Sequence, residues 1–182
     1  MTAQKKDSIL IFDTNIFLTG VDFNIFKETI YTTSEIIEEI EVDKYKEKNR
    51  NILNKVQAAL ESKKLIIYNP KERYLKKIFK KSKETGDYKA LSFQDIGILA
   101  LGLELKDSKS LESKIITNDF SMQNLCKALE INFSPLYREG IVKQINFEIY
   151  CPFCKIIYKS EHFNELCEIC GSKLKRRPKK IF

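Results

Sequence analysis

A short apolar run, Ser8-Ile-Leu-Ile-Phe12, stops abruptly at an acidic residue, Asp13. A run of this length and composition predicts a strand buried on both faces, which is typical of parallel sheets. A similar run, Ile115-Ile-Thr117, is followed by Asn118 and Asp119. Both acids therefore come just beyond a predicted strand. Because parallel sheets form their ligand crevice beyond the carboxyl ends of the strands, this coincidence is the first indication of a functional site.

Around these two runs, predicted strands alternate with predicted helices. The other predicted strands cover residues 30–33 and 65–68. The predicted helices are a short one at 21–28, a helical region from 34 to about 60, a basic amphipathic helix ending near 85–87, a buried helix at 92–106 and a helix through 122–129. This alternation predicts an α/β fold with a parallel sheet flanked by helices. A period-two pattern at 141–149 predicts a further strand that leaves the main domain.

Length and composition limit the architecture. A chain of 182 residues allows one ordinary domain with a small appendage, and 43% hydrophobic content is typical of a globular protein. No apolar run approaches the roughly 20 residues that cross a bilayer, so no membrane span is expected. The apolar run near the N-terminus is too short for a signal peptide, and we therefore expect a cytoplasmic protein.

The net charge of +7 is concentrated in two basic segments. Residues 71–83 carry a net charge of +6, residues 173–182 hold six basic and no acidic side chains, and the rest of the chain sums to about −5. This asymmetry favours a polyanionic partner, although 71–83 also has the pattern of an amphipathic helix with a solvated face. The candidate nucleic-acid contacts are Lys76, Lys77, Lys80, Lys173, Lys175, Arg176, Arg177, Lys179 and Lys180.

Four of the five cysteines form two Cys-x-x-Cys pairs with twelve residues between them. The four are Cys151, Cys154, Cys167 and Cys170. Two such pairs complete the tetrahedral shell of a structural zinc site, whereas disulfides or a redox pair are the alternatives. Four thiolates leave no position for a substrate, so this zinc is not expected to be catalytic. The fifth cysteine, Cys126, is interpreted as a core residue and the single histidine, His162, as a surface residue.

Four acidic residues lie near the ends of predicted elements: Asp13, Glu39, Asp95 and Asp119. Each alone has a structural explanation as a helix cap, a turn residue or an acid in the first turn of a helix. Together in one crevice they would repel one another unless a cation bound between them. Mg²⁺ prefers oxygen ligands, and bound metal activates water and neutralises charge on a phosphate. Carboxylates with a basic rim therefore predict a metal-dependent phosphodiester hydrolase.

The same acids belong to four motifs in a fixed order. The motifs are Asp13-Thr-Asn, Ile-Ile-Glu-Glu39-Ile, Leu-Ser-x-x-Asp95-x-x-x-Leu-Ala-Leu and Thr-x-Asp119-Phe-x-x-Gln-Asn. Together they resemble a PIN-domain ribonuclease. The cysteine ribbon and basic tail that follow are similar to those of the archaeal-type Nin-one-binding endonucleases of ribosome maturation. The resemblance covers nearly the whole chain.

This resemblance implies an endoribonuclease that cleaves precursor small-subunit rRNA to form its mature 3′ end, on the pre-ribosomal small subunit and among ribosome-assembly proteins. It implies an Mg²⁺- or Mn²⁺-dependent reaction in which the four acids bind the metal and are catalytic. Within the second motif, Glu39 is preferred to Glu35 and Glu38 because it directly precedes Ile40, as in the family's pattern. The implied architecture is a PIN-like sheet domain followed by a small rubredoxin-like zinc ribbon.

The chain accordingly divides into a nuclease domain at 1–138, a connecting strand at 139–150, a ribbon core at 151–172 and a basic tail at 173–182. Two other functions remain open. One is a toxin-type PIN ribonuclease that attacks tRNA or rRNA, although such enzymes usually lack a ribbon. The other is a non-catalytic RNA-binding assembly factor, because Asn118 stands where the family often carries a second aspartate.

Overall fold

The computed structural model describes residues 8–42, 46–108, 112–137 and 139–179. The strands are β1 (Ser8–Phe12), β2 (Thr29–Thr32), β3 (Leu65–Ile67), β4 (Glu112–Ile116), β5 (Phe133–Ser134), β6 (Phe147–Tyr150), β7 (Ile157–Tyr158) and β8 (Lys175–Pro178). The helices are α1 (Thr14–Leu18), α2 (Ser34–Glu41), α3 (Lys46–Glu61), α4 (Glu72–Thr85), α5 (Phe93–Ser108) and α6 (Phe120–Ala128). Short 3₁₀ turns occur at Phe23–Ile25, Tyr88–Ala90 and Ser160–His162.

The larger sheet contains five parallel strands in the order β3-β2-β1-β4-β5. The chain builds outward from β1 through β2 to β3, and then returns to the other side of β1 with β4 and β5. Such a reversal of strand order opens a crevice at the carboxyl ends of β1 and β4, the two strands on either side of the reversal. Asp13 directly follows β1 and Asp119 follows β4 after two residues, so the fold brings both to this crevice.

The hydrophobic core is centred on β1 and α5. Residues 98–101 of α5 are fully buried, because the helix packs on the sheet while α4 and α6 cover it. Gly102 allows this close approach: a Cβ atom there would lie 2.6 Å from the Ile115 side chain of β4. The tight packing fixes the first turn of α5, which carries Asp95, against the end of the sheet.

The second sheet is antiparallel, with the strand order β7-β6-β8. Its core is small and consists of Ile149, Cys151, Cys167 and Leu174, with a few partly buried neighbours. A core of this size supplies little of the free energy that a fold of its own requires, so a bound metal is the expected source of the remainder.

The predicted α/β class is confirmed, with its parallel sheet, flanking helices and C-terminal cysteine cluster. The short helix predicted at 21–28 is wrong, because α1 begins directly after Asp13 and only a 3₁₀ turn follows. Phe23 instead packs against Phe12 and Phe17, with ring centroids 6.4 and 5.6 Å apart. Aromatic packing, and not helical periodicity, determines this segment. The two-residue strand β5 is too short for any sequence pattern to predict.

The strand predicted over 141–149 is also wrong over its first half, since only β6 forms. The preceding backbone pairs with side chains of α6 and not with another strand. The N–H of Ile141 donates to Gln123 Oε1 at 2.9 Å, and that of Ile145 donates to Asn124 Oδ1 at 2.7 Å. These long-range side-chain contacts satisfy backbone groups that the alternating pattern assigns to a sheet.

The segment interpreted as a basic tail differs as well. Within the described part of 173–182, Lys175–Pro178 form β8 and pair with β6, so this stretch belongs to the ribbon sheet. None of the helices within the described residues combines the length and the apolar character that crossing a bilayer requires.

Candidate active site and cysteine centre

Asp13 is a buried acid with one unsatisfied oxygen. Its Oδ1 accepts the N–H of Ile16 at 3.0 Å and so caps α1. Its Oδ2 is buried and has no hydrogen-bond partner among the described residues, and the residue is only 1% exposed. The pKa of Asp13 is raised to about 6, mainly by burial and also by the charges of Asp95 and Asp119, although hydrogen bonds from the Thr117 side chain and the Ile16 N–H act in the opposite direction. A carboxylate held in this way favours a bound cation.

Asp95 and Asp119 each use one carboxylate oxygen to cap a helix. Asp95 Oδ2 accepts from the N–H and the hydroxyl of Ser92, both at 2.8 Å, which is the predicted capping box. Asp119 Oδ1 accepts the N–H groups of Ser121 at 2.6 Å and Met122 at 2.9 Å. These caps fix the orientation of both carboxylates. Burial raises the pKa of Asp95, and the charge of Asp119 contributes to the increase.

Glu39 extends from α2 toward the residue after Asp13. Its Oε2 accepts a hydrogen bond from the Thr14 hydroxyl at 2.6 Å, and its charge also raises the pKa of Asp95. Glu35 instead accepts from the adjacent Ser34 hydroxyl at 3.3 Å. Of the acids in the second motif, Glu39 is thus the one with observed links to the other predicted site residues.

The predicted acids therefore lie within electrostatic reach of one another at the end of the sheet. They are not tightly clustered: in the described part of the chain, the four cysteines are the one group of three or more His, Cys, Asp or Glu side chains close enough together to hold an ion as they stand. An open arrangement fits Mg²⁺ or Mn²⁺, since Mg²⁺ keeps several waters and uses only one or two carboxylates. The unsatisfied Oδ2 of Asp13 would be the first candidate ligand for such an ion.

Asn118 does not extend the acidic group. Its Oδ1 accepts the N–H of Leu136 at 2.9 Å and so ties the loop after β4 to the chain beyond β5. A carboxylate at this position would add charge beside Asp119, whereas the amide acts as a structural link.

The four cysteines form one compact cluster, with all Sγ atoms within 4.8 Å of one another. The two Cys-x-x-Cys turns have the same backbone form, because each is followed by a residue with positive φ, Lys155 at 64° and Gly171 at 68°. In each turn the N–H of that residue bonds to the carbonyl of the first cysteine, at 3.0 and 2.9 Å. Hydrogen bonds from the Tyr158 hydroxyl and within the cluster lower the pKa of Cys167 to about 6, and hydrogen bonds within the cluster raise the pKa of Cys154 to about 12. Four sulfur ligands gathered in this way suit a tetrahedral metal.

We expect one zinc ion per chain at this cluster. Cys151→Ser should remove the bound metal and unfold the ribbon, because the ribbon core is small and the metal supplies much of its stability. Cys126→Ser is the matched control, since Cys126 is buried in the nuclease core. Elemental analysis of both purified variants measures the outcome. Loss of zinc in Cys126→Ser, or full retention in Cys151→Ser, would contradict the assignment.

The predicted nucleic-acid contacts differ in their surroundings. Lys80, Lys173, Lys175 and Lys179 are exposed. Lys76 and Lys77 are exposed too. Lys76 forms an ion pair with Glu72 at 2.8 Å, and Lys77 forms one with Asp107 at 3.4 Å. Arg177 pairs with Glu148 at 2.7 Å. Exposed pairs of this kind are weak, so these side chains can exchange partners for phosphates. Lys180 lies outside the described residues.

Arg176 is the exception among these basic residues. Its guanidinium pairs with Asp87 at 2.9 Å and lies over the Phe147 ring, 4.2 Å from the centroid. Asp87 is fully buried after α4 and also accepts from Asn124 at 2.6 Å. Sequence reasoning missed Asp87, and its only local signal is its place after Gly86, the left-handed residue that ends α4. Arg176 therefore joins the ribbon to the nuclease domain, with its guanidinium paired to a buried acid.

Comparison with known proteins gives consistent matches. A family model described as the PIN domain of ribonuclease matches residues 10–105. Endoribonuclease Nob1 of Methanocaldococcus jannaschii is 35% identical over 169 residues, which cover 93% of this chain and 77% of the relative. Endoribonuclease Nob1 of Pyrococcus abyssi is 28% identical over 94% of both chains. Ribonuclease VapC1 of Thermoplasma acidophilum is 27% identical over 92% of this chain and 77% of the relative.

Proposed function

Because the chain belongs to the PIN-domain endoribonucleases of the archaeal Nob1 type, and is thus a nuclease, we propose that it cleaves precursor small-subunit rRNA to form the mature 3′ end. The observation that carries the proposal is the buried Oδ2 of Asp13, unpartnered among the described residues, next to the charges of Asp95 and Asp119. A site built for RNA binding alone has no need of an unneutralised buried carboxylate, which is costly to maintain.

The four acids would hold Mg²⁺ or Mn²⁺. When bound, the ion lowers the pKa of water and neutralises charge that develops on the phosphate. The chain itself supplies orientation. Helix-capping bonds fix Asp13, Asp95 and Asp119, and the Thr14 hydroxyl holds Glu39 at 2.6 Å. Hydrolysis by water breaks the bond from phosphorus to the 3′ oxygen and leaves 3′-hydroxyl and 5′-phosphate ends.

The exposed lysines of α4 and of the ribbon would bind RNA phosphates. Such contacts determine affinity and salt dependence more than sequence choice. The partners we propose are the pre-ribosomal small subunit and its assembly proteins, in the cytoplasm. Zinc at the four cysteines would hold the ribbon in shape for this contact.

A cleavage assay with end-labelled RNA tests the proposal. We expect RNA that spans the mature 3′ end to be cut once in Mn²⁺, with ends that a polymerase extends and a ligase accepts. RNA of the same length and reversed sequence is the control for selectivity. Protein carrying Asp95→Asn, prepared in parallel, controls for a contaminating nuclease. An intact ribosomal RNA under these conditions would contradict the proposal.

The 27% identity to ribonuclease VapC1 favours one second candidate, a toxin-type nuclease that attacks tRNA or mature rRNA. The same assay distinguishes the two. Preferred cleavage of tRNA over the precursor fragment would support the second candidate.

A further inference from the structure

Two buried side-chain atoms lack a hydrogen-bond partner in the described part of the chain: Asp13 Oδ2 and Thr33 Oγ1. Both residues are almost completely buried, at 1% and 0% exposure. A buried hydroxyl without a partner is costly and uncommon in proteins, so each such group calls for an explanation.

The two unpartnered atoms belong to neighbouring positions at the end of the sheet. β1 and β2 are parallel, and Ile11 pairs with Tyr31. Continued by two residues, this register places Asp13 beside Thr33, and both residues keep extended backbone angles. Side chains in register on parallel strands lie on the same face of the sheet. The Thr33 side chain therefore lies on the same side as the Asp13 carboxylate, one strand away.

The local structure leaves the Thr33 hydroxyl unused. Thr33 is the N-cap residue of α2, where a threonine hydroxyl ordinarily accepts a helix N–H. Here its hydroxyl makes no such bond. The side chain of Asn69 caps the N-terminus of α2 instead. Its Oδ1 accepts the N–H of Ser34 and its Nδ2 donates to the Ser34 hydroxyl, both at 2.9 Å.

The Thr33 side chain packs against the helix that carries Asp95. A Cβ atom placed on Gly97 of α5 would lie 3.7 Å from Thr33 Oγ1, in ordinary van der Waals contact. Thr33 thus lies between Asp13 on β1 and the first turns of α5. Asp95, the acid on α5, lies two residues before Gly97 in the chain.

We propose that Thr33 is a positioning residue of the active site, whose hydroxyl holds a water of the bound ion's hydration shell beside Asp13 Oδ2. The inference rests on the proposed metal-dependent function. Mg²⁺ and Mn²⁺ keep waters in such sites, and polar groups that bind those waters orient the shell. In this arrangement the ion would neutralise Asp13 Oδ2, and the water would give the Thr33 hydroxyl its missing hydrogen-bond partner.

Thr32 provides a matched control on the same strand. It is equally buried, but its hydroxyl donates to the Phe12 carbonyl at 3.1 Å and so has a structural partner. Valine replaces threonine with little change of shape in both Thr33→Val and Thr32→Val. The first change removes an unused hydroxyl, and the second removes a satisfied hydrogen bond.

The experiment measures Mn²⁺ affinity and thermal stability on zinc-loaded protein. We expect Thr33→Val to bind Mn²⁺ about tenfold more weakly, the size of effect usual for residues around a metal's ligands, with no loss of stability in Mn²⁺-free buffer. Thr32→Val should show the reverse, with lower stability and unchanged affinity. Thr33→Ser, which keeps the hydroxyl, should restore most of the affinity.

Wild-type Mn²⁺ affinity in Thr33→Val would overturn the inference, as would a loss of stability equal to that of Thr32→Val with affinity unchanged. The Mn²⁺-affinity test of Thr33 does not depend on which RNA the protein cleaves. If the wild-type protein binds Mn²⁺ but leaves precursor rRNA intact, the proposed function fails while Thr33 is still tested. If it binds no Mn²⁺ at the acidic site, both fail.

Discussion

Replacing Asp13 by asparagine is expected to abolish RNA cleavage and, at the same time, to stabilise the metal-free protein. Cleavage should fall on the order of a thousandfold or more, because the metal's charge stabilisation is worth several kcal/mol. Asparagine is as good a helix cap as aspartate, so α1 keeps its N-terminus. The unneutralised buried charge disappears.

The stability change has a defined pH dependence. The folded pKa of Asp13 is about 6, above the ordinary 3.8. Ionising this carboxyl therefore costs stability as the pH rises from about 4 to 6, by up to about 3 kcal/mol, and the cost persists above pH 6. Asp13→Asn should gain relative stability over that range and keep the gain at pH 8. Unfolding of zinc-loaded protein in buffer without Mg²⁺ or Mn²⁺ measures the difference.

Added Mn²⁺ should reverse the order of stability. The wild-type protein binds the ion and gains stability by mass action, whereas the variant does not. Asp22→Asn is the control, because Asp22 also caps a turn, through the N–H of Asn24 at 3.0 Å, but is exposed. Asp22→Asn should change neither cleavage nor the response to Mn²⁺. A metal-free Asp13→Asn protein that is less stable than wild type at pH 8 would show that Asp13 serves the fold and not a cation.

The position of Asp13 and Asp119 was predictable because strand ends in a parallel sheet converge. A short apolar run that ends in an acid is a local signal, and the sheet order then brings two such ends together without further information. The cysteine cluster was predictable for a similar reason, since the spacing within each Cys-x-x-Cys pair is local.

Thr33 and Arg176 were not predictable, because their environment is set by residues far away in the chain. Nothing near Thr33 shows that Asn69 caps α2 and leaves the threonine hydroxyl unused. From its charge alone, Arg176 is predicted to lie on a basic surface. In the structure it pairs with Asp87, a buried acid 89 residues earlier in the chain. Side-chain partners of this kind depend on the assembled fold, and sequence patterns report only burial and periodicity.

Arg176→Gln is expected to weaken the contact between the ribbon and the nuclease domain strongly. The change leaves Asp87 fully buried without its cation, and breaking a buried pair in this way costs about 3–5 kcal/mol. The neighbouring contacts are tight as well: a Cβ atom on Gly86 would lie 2.5 Å from the Phe147 carbonyl oxygen. Hydrogen exchange at residues 86–90 and 141–146 measures the loosening directly.

A second change on the nuclease side should compensate. Asp87→Asn removes the buried charge and keeps a group that can bond to Asn124, so the Asp87→Asn, Arg176→Gln double variant should recover much of the lost protection. Arg177→Gln is the control on the same strand. Arg177 is 44% exposed and pairs with Glu148, which is 20% exposed, so the loss of this partly solvated pair should cost less than the loss of the Arg176–Asp87 pair.

RNA affinity in the same variants separates the two roles considered for Arg176. If Arg176 acts by fixing the ribbon, Arg176→Gln weakens RNA binding and the added Asp87→Asn change restores it, because the geometry recovers while no phosphate contact is regained. If Arg176 binds phosphate itself, the double variant stays as weak as the single one, and both show a smaller salt dependence than wild type. Since the guanidinium is only 23% exposed and paired with a buried acid, we expect the first result.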